Sequence, residues 1–280
     1  MKLSCLPVSY FGDIIDGRMS IAQWASEATS LGLDGIDLSV VFFRERTENY
    51  FKNMRSDIEA AGQRVAVMNT YPDLTHPDSC IREKELHILK EDIVAASHIG
   101  AEMVRVTAGQ AHPQTSRKEG VAWAIEGLTG AIETARKNGV KLVFENHSKP
   151  GVWDYPDFCF PSDLFLKVAK AIENTEIGIL FDTANPIVYG DNPLDLLESV
   201  IDRIACVHLA DTSTRVNLKP ALIGTGLVPF EAIFARLEKA GYSGWFSIEE
   251  ASGIGKSGVA RAVKFVRNRM VKSIIPRVLQ

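Results

Sequence analysis

The chain has little cysteine, no long apolar run and no leader-like N-terminus. Its four cysteines are widely scattered and form no CxxC pair, so neither a zinc ribbon nor a redox dithiol is expected. No apolar run reaches the length of a membrane span. The N-terminal segment MKLSCLPVSYFGD has no sustained apolar stretch, because Pro7 and Asp13 interrupt it. We therefore expect a cytoplasmic protein that makes no membrane contact.

The sequence also lacks an excess of positive charge. Lys and Arg total 31 against 35 for Asp and Glu, which gives a formal net charge of −4. No block rich in Lys or Arg appears, so nucleic acid is not an expected partner. The length of 280 residues and the hydrophobic content of 46% are ordinary for a globular protein with a large core.

Short apolar segments alternate with longer segments of helical spacing from end to end. The apolar segments are KLSCLPV, GIDLSV, RVAVMNT, MVRVTAG, KLVFENH, IGILFDT, IACVHLAD and WFSIEEA. In the helical segment REKELHILKEDIVAASHIG, Leu86, Leu89 and Ile93 recur at steps of three and four residues, which predicts one apolar helix face. Several helical segments end at a glycine, the expected C-terminal cap, namely Gly32, Gly62, Gly100, Gly139 and Gly241.

Eight strand–helix units in a chain of 280 residues predict a single-domain (β/α)8 TIM barrel. No proline- or serine-rich linker interrupts the series, so we expect one domain over residues 1–280. The alternative is a doubly wound open sheet, which favours a glycine-rich fingerprint after the first strand. The segment found there, SYFGDIIDG, lacks that fingerprint. In a barrel, the active site lies at the C-terminal ends of the strands.

Ionisable residues follow the apolar runs of four consecutive predicted strands. These residues are Glu145, Asp182, His208 and Glu249. Three carboxylates at one barrel mouth repel each other, and no Lys or Arg occurs within those four strand-end segments. A divalent cation resolves the repulsion, and the oxygen-rich donor set favours Mn²⁺, with Mg²⁺, Co²⁺ or Zn²⁺ also compatible. Glu250 follows Glu249 directly and should face the opposite side, so we assign it a structural role.

Each of these residues also has an ordinary structural interpretation. Asp182 alone is typical of a helix cap, His208 alone of a core histidine, and Glu145 alone of a salt bridge to a helix. The four together, on successive strands of one barrel, favour the metal site.

At these residues the chain resembles the xylose isomerase-like TIM barrels, in particular the sugar phosphate isomerase/epimerase group. The resemblance covers nearly the whole chain, and its motifs are FENH, FDTAN, VHLAD, GTGLVPF and SIEE. That group includes ketose 3-epimerases, hydroxypyruvate isomerase and inosose dehydratase, and it is related to endonuclease IV. The resemblance implies metal binding by Glu145, Asp182, His208 and Glu249, and it implies that Glu145 and Glu249 also move protons.

The chain departs from the family pattern at positions that face substrate in its members. Asn185 stands where some epimerases carry a substrate-binding His, and Ala210 replaces the Lys of the common HLKD motif. An Arg in the loop after strand seven often holds substrate in the family, and Arg215 is the candidate here.

Further candidates for substrate binding are His147, Asn69 and Trp153. Trp153 belongs to the long aromatic-rich loop at residues 148–163, which is typical either of the wall or lid of a sugar pocket or of a subunit interface. For Asn69, capping or fixing a loop is the favoured interpretation. We expect a homodimer or homotetramer.

These features predict a divalent-metal-dependent isomerase or epimerase of a small ketose, keto-sugar or related polyol. A glutamate would remove a proton beside the carbonyl, and the metal would stabilise the resulting enediolate. The alternative is a dehydratase or lyase that acts on a keto-sugar or inosose through the same enolate. A non-catalytic sugar-binding protein is the third possibility. An endonuclease IV-like DNA-repair role is disfavoured, since that enzyme needs many histidine ligands and this chain has six His and a negative charge.

Overall fold

All eight predicted apolar segments form strands of one parallel sheet, which confirms the predicted TIM barrel. The computed structural model describes residues 1–272, with side chains described as far as residue 270. The strands are β1 (Lys2–Leu6), β2 (Ile36–Ser39), β3 (Val65–Asn69), β4 (Met103–Val106), β5 (Lys141–Glu145), β6 (Gly178–Asp182), β7 (Ile204–Leu209) and β8 (Trp245–Glu249).

Helices connect the strands and cover the outside of the sheet. The α-helices are α1 (Phe11–Ile15), α2 (Ile21–Ser30), α3 (Glu48–Ala60), α4 (Ser79–Ile99), α5 (Arg117–Gly130), α6 (Ile132–Lys137), α7 (Ser162–Ala171), α8 (Asn185–Tyr189), α9 (Pro193–Val200), α10 (Phe230–Lys239) and α11 (Lys256–Lys272). Short 3₁₀ helices occupy Val8–Tyr10, Val40–Phe42 and Ile201–Arg203. None of the described helices is long and apolar enough to cross a membrane.

Local sequence signals set the helix ends. Ser20 and Gln23 form a capping box at the start of α2, because each side chain accepts from the backbone N–H of the other. Helix α4 ends at Gly100, whose φ of +79° lies in the left-handed region that glycine adopts without steric cost. The other four predicted glycine caps also have positive φ, so the glycine pattern located the helix ends correctly.

The strands pair in sequence order around the barrel. Each strand from β2 to β8 pairs with the next, and β8 pairs in parallel with β1. Between β1 and β2 the contact runs through Asp34, whose backbone N–H donates to Leu3 O at 2.8 Å and whose Oδ2 accepts from Leu3 N at 2.8 Å. The barrel is therefore nearly closed, with one side chain bridging the gap.

A small apolar cluster fills the barrel below the strand ends. We call it the floor cluster, and it consists of Ala66, Val67, Met103, Val143, Leu180, Cys206 and Trp245. Its members come from six consecutive strands and contact one another, which only the barrel interior permits. Side chains two positions apart on a strand share a face. Residues two positions beyond the floor cluster, such as Glu145, Asp182 and His208, therefore face the same interior, one layer higher.

Candidate metal centre and substrate cavity

The four predicted metal ligands come together at the C-terminal end of the barrel. Glu145, Asp182 and His208 each offer one ligand atom, and these atoms lie within 4.8 Å of one another. Glu249 joins them, because its Oε1 lies 3.1 Å from His208 Nδ1, and Glu145 Oε1 lies 3.0 Å from the same nitrogen. The first three side chains are buried, whereas the Glu249 side chain is 22% exposed. The cluster is thus buried on the side of the barrel interior, and Glu249 is the member that is exposed to solvent.

Asp182 serves both as a cap and as a potential ligand. Its Oδ1 accepts the backbone N–H groups of Ala184 at 2.9 Å and Asn185 at 2.7 Å, where α8 begins. Asn146 fixes the same strand end, since its side chain accepts from Asp182 N at 2.8 Å and donates to Asp182 O at 3.0 Å. Within the described chain, the buried Asp182 Oδ2 has no hydrogen-bond partner. One oxygen therefore holds the fold and the other is available to a cation.

The electrostatics of the cluster favour added positive charge. Burial, followed by the charges of Glu249 and Glu145, raises the pKa of Asp182 well above its usual range. Burial lowers the pKa of His208, but Glu249 and Glu145 outweigh it and hold that pKa well above the usual value. A single Nδ1–H cannot satisfy both glutamates. A divalent cation among these oxygens and Nδ1 would, so the donor set fits a metal site.

A buried arginine that the strand-end pattern did not reveal belongs to this site. Arg105 lies in the middle of β4, and its Nε is 3.0 Å from Glu145 Oε2. Burial raises the pKa of Glu145, but Arg105 and then His208 outweigh it and lower that pKa to about 2. The two oxygens of Glu145 therefore face different partners, with Oε1 toward His208 and Oε2 toward Arg105.

Asp37 on β2 is a second buried charge that the sequence analysis missed. It accepts a hydrogen bond from Ser247 Oγ, and its Oδ2 lies 3.9 Å from His208 Nε2. Burial raises its pKa to about 6. The available signal was the charged residue inside an otherwise apolar segment, Asp in GIDLSV and Arg in MVRVTAG. Such a residue needs a buried partner, but the sequence does not identify it.

A cavity of about 260 Å³ lies above the cluster. Asp182, Glu249 and Arg105 line its base, and two of the predicted substrate contacts, His147 and Asn185, line its side. Burial lowers the pKa of His147 to about 4, so the ring is neutral at physiological pH. Apolar lining comes from Leu6, Val8, Phe11, Leu218 and Pro220. The cavity thus combines a charged base with a partly apolar wall, as expected for a small polar ligand.

The other three predicted substrate contacts lie outside the cavity lining. Asn69 is buried and holds Arg105, because its Oδ1 accepts from Arg105 Nε at 3.0 Å and its Nδ2 donates to Leu38 O at 3.0 Å. Trp153 packs edge-on against His147, with ring centroids 6.4 Å apart. Arg215 is exposed in the loop after β7.

Glu250 faces away from the cavity and makes structural contacts, as the alternation of side chains along a strand predicts. Its Oε2 accepts from Ser9 Oγ at 2.6 Å, and its Oε1 accepts from Ser252 N at 2.9 Å. The side chain is buried, and a Cβ on Gly258 would lie 2.6 Å from its carboxyl carbon. Glu250 therefore joins the loop after β1 to the start of α11, whereas Glu249 faces the cavity.

Comparison with known proteins assigns the chain to a family. Residues 25–269 match the model of the xylose isomerase-like TIM barrel. L-Ribulose-5-phosphate 3-epimerase UlaE of Escherichia coli (strain K12) is 27% identical over 260 residues, which cover 88% of each chain. A D-tagatose 3-epimerase-like protein superposes over 100% of both chains with a TM-score of 0.79 at 17% identity. The IOLI protein, solved with a bound zinc atom, superposes over 98% of this chain and 99% of its own, with a TM-score of 0.78 at 15% identity. The chain belongs to the xylose isomerase-like TIM-barrel family.

Proposed function

We propose that the protein is a divalent-metal-dependent epimerase or isomerase of a small ketose. The observation that carries the proposal is the convergence of Glu145, Asp182, His208 and Glu249 beneath one cavity, which Asp182 and Glu249 line. The similarity to L-ribulose-5-phosphate 3-epimerase over 88% of both chains supports the same reaction class. Sugar phosphates are therefore among the first substrates to test.

The metal would be held by one atom from each of the four residues. Glu145 Oε1, His208 Nδ1 and Glu249 Oε1 face one another, and Asp182 Oδ2 has no other partner within the described residues. Three oxygens and one imidazole nitrogen suit Mn²⁺, and Mg²⁺, Co²⁺ or Zn²⁺ are compatible with the same donors. When bound, such a cation polarises the substrate carbonyl and stabilises the negative charge that follows proton removal.

The two glutamates would exchange protons with the substrate. Glu145 ends β5 and Glu249 ends β8, so the two carboxylates approach the cavity base from strands separated by β6 and β7. One glutamate takes the proton from the carbon beside the carbonyl, and the other returns it. Return from the opposite face of the same carbon gives the epimer, whereas return to the neighbouring carbon gives the aldose–ketose isomer.

Neutral polar groups in the cavity would orient the sugar. His147 is uncharged at neutral pH, and its ring lines the cavity. Asn185 lines it too, and its Nδ2 donates to Asn146 O at 3.0 Å, which fixes the side-chain amide. Both side chains can hydrogen-bond the hydroxyl groups of a sugar, and neither adds a charge next to the metal.

Proton exchange in D₂O tests the proposal directly. The Mn²⁺-loaded protein would be incubated with L-ribulose 5-phosphate, L-ribulose, D-fructose and a keto-inositol, and NMR would follow deuterium at the carbon beside the carbonyl. We expect exchange together with an epimer or isomer for at least one ketose, and exchange that is slower by about 100-fold or more with Glu249→Gln. Exchange accompanied by loss of a hydroxyl would favour the dehydratase alternative. A metal-loaded protein that exchanges no proton in any of these compounds would contradict both.

A further inference from the structure

One buried cation contributes to the base of the cavity. Arg105 is 1% exposed and lines the cavity beside Asp182 and Glu249. Lys149 also lines the cavity, but it lies at the rim, where its Nζ donates to Asp154 O at 2.8 Å. Arg215, the arginine predicted to hold substrate, is exposed outside the lining. A cation fixed at the base is therefore supplied from β4 rather than from the loop after β7.

The fold holds the Arg105 guanidinium rigidly. Its Nε donates to Asn69 Oδ1 at 3.0 Å and lies 3.0 Å from Glu145 Oε2. Its Nη1 donates to Thr70 O at 2.7 Å, and the ring of Tyr71 packs over the group with its centroid 4.6 Å from Cζ. These two hydrogen bonds and a further one to the Tyr71 side chain use three of the five N–H donors of a guanidinium. Donors therefore remain for an oxygen in the cavity, and their positions are set before any ligand arrives.

We propose that Arg105 is a substrate-binding residue, and that its guanidinium donates hydrogen bonds to the carbonyl or hydroxyl oxygen of a ketose held between Glu145 and Glu249. The inference rests on the proposed function, because it concerns the same site. A guanidinium stays protonated, so Arg105 does not act as an acid or a base in the proton transfer. Its contribution is to stabilise negative charge on the oxygen as the proton leaves the neighbouring carbon. A preorganised donor in a buried site is effective for that purpose.

A purely electrostatic role for Arg105 would have different consequences. If Arg105 only neutralised Glu145, then a lysine at this position would preserve the function of the site. A variant that removes the Arg105 charge would then mainly change the affinity of the site for Mn²⁺. If Arg105 contacts the substrate oxygen, the geometry of the guanidinium matters, because a lysine cannot reproduce its planar fork. Ligand affinity would then fall although the metal still binds.

Binding of glycolohydroxamate to the Mn²⁺-loaded protein separates these roles. The adjacent oxygens of this small hydroxamate mimic an enediolate, and calorimetry measures both its Kd and the Kd of Mn²⁺. We expect Arg105→Gln and Arg105→Lys each to weaken glycolohydroxamate binding by about tenfold or more, while Mn²⁺ affinity is retained. Arg82→Gln is the matched control, since Arg82 stacks on Trp123 outside the cavity lining, and it should bind the probe as the native protein does.

Each possible result has a defined consequence. Unchanged probe affinity in Arg105→Gln, or a loss that parallels loss of Mn²⁺, overturns the inference and leaves the proposed function standing. A native protein that binds Mn²⁺ but not glycolohydroxamate contradicts the proposed function and the inference together. If Arg105→Gln does not fold, probe binding by Arg105→Lys tests the inference. That variant keeps the positive charge beside Glu145 and lacks only the planar set of guanidinium N–H donors. Recovery of probe binding in Arg105→Ala on addition of methylguanidinium would further support a direct contact.

Discussion

His208 Nε2 lies 3.9 Å from Asp37 Oδ2, and both side chains are fully buried. The opposite ring nitrogen, Nδ1, faces Glu145 and Glu249 at 3.0 and 3.1 Å. The two nitrogens of one imidazole therefore face two different acidic groups. The Asp37 carboxylate lies beyond hydrogen-bond distance of Nε2, so it acts on that side of the ring through its charge, whereas Nδ1 faces the two glutamates.

Replacement of Asp37 tests whether it orients His208. Asp37→Asn removes the carboxylate charge but keeps the shape, so we expect Mn²⁺ affinity to fall by about tenfold to 100-fold with the fold retained. Calorimetry gives the Kd, and circular dichroism checks the fold. Asp157→Asn is the matched control, because Asp157 is equally buried but is not among the carboxylates within 4 Å of His208 in the described residues. Equal Mn²⁺ affinity in Asp37→Asn and the native protein would refute the positioning role.

The neighbouring glutamates at the end of β8 should have separable functions. Glu249→Gln removes a proton-transfer group, so we expect α-proton exchange to fall by about 100-fold or more. Glu250→Gln weakens the contacts to Ser9 and Ser252, so it should instead lower the free energy of unfolding by about 1–3 kcal/mol. NMR exchange rates and urea unfolding of both variants provide the comparison, and each variant is the control for the other. Equal loss of exchange in both would show that strand alternation does not divide their roles.

Asp182 should be needed for metal binding more than for folding. Asp182→Asn keeps an oxygen for the N–H groups of Ala184 and Asn185, but it presents an amide to the cation. We expect the Mn²⁺ Kd to rise by about 100-fold or more, and we expect the Mn²⁺-induced increase in Tm to disappear. Asp163→Asn, at an exposed carboxylate on α7, should retain that increase. An unchanged Mn²⁺ effect in Asp182→Asn would exclude Asp182 as a ligand.

Asp157 should make the stability of the metal-free protein depend on pH. Burial raises its pKa well above the usual value, although its Oδ1 accepts from Cys159 N at 2.6 Å. The folded state therefore binds the proton more tightly than the unfolded state. The resulting stability is fully present below the unfolded pKa near 4 and is lost as the pH rises through the folded pKa, by about 1.4 kcal/mol per pH unit.

Urea unfolding in EDTA at several pH values between about 4 and 8 would measure this effect. All other titrating groups are shared with Asp157→Asn, so the difference between the two proteins isolates Asp157. We expect the variant to gain stability relative to the native protein as the pH rises. A difference that is constant with pH would show that Asp157 titrates normally.

The sequence was sufficient to predict the barrel and to predict which strand-end side chains meet at its mouth. Apolar runs with glycine-capped helices between them specify the order of strands, and the C-terminal ends of parallel strands meet at one face. That geometry brings together Glu145, Asp182, His208 and Glu249, whose role as metal ligands stays a prediction. The number of subunits, by contrast, stays a prediction.

The buried charges inside strands could not be assigned from the sequence. Arg105 and Asp37 depend on partners that lie 40 and 171 residues away, Glu145 and His208, and no local pattern encodes that distance. Loop residues present a similar difficulty. Arg215 lies in a long connection whose path is set by Asp211, which accepts N–H groups of Gly224 and Gly226 at 3.0 and 2.8 Å. Counting along such a loop does not predict which side chain reaches the cavity.

The floor cluster has a consequence for turnover. Its apolar side chains, among them Val143, Leu180 and Trp245, fill the barrel beneath the charged layer, so reactant and product must share the route through the loops above. Pro150 and Gly151 line one side of that route, and Leu218 and Pro220 line the other. Because both molecules use the same opening, the product has to leave before the next substrate molecule can bind. Release of the product through this mouth, rather than the proton transfer, is then a natural step to limit the rate.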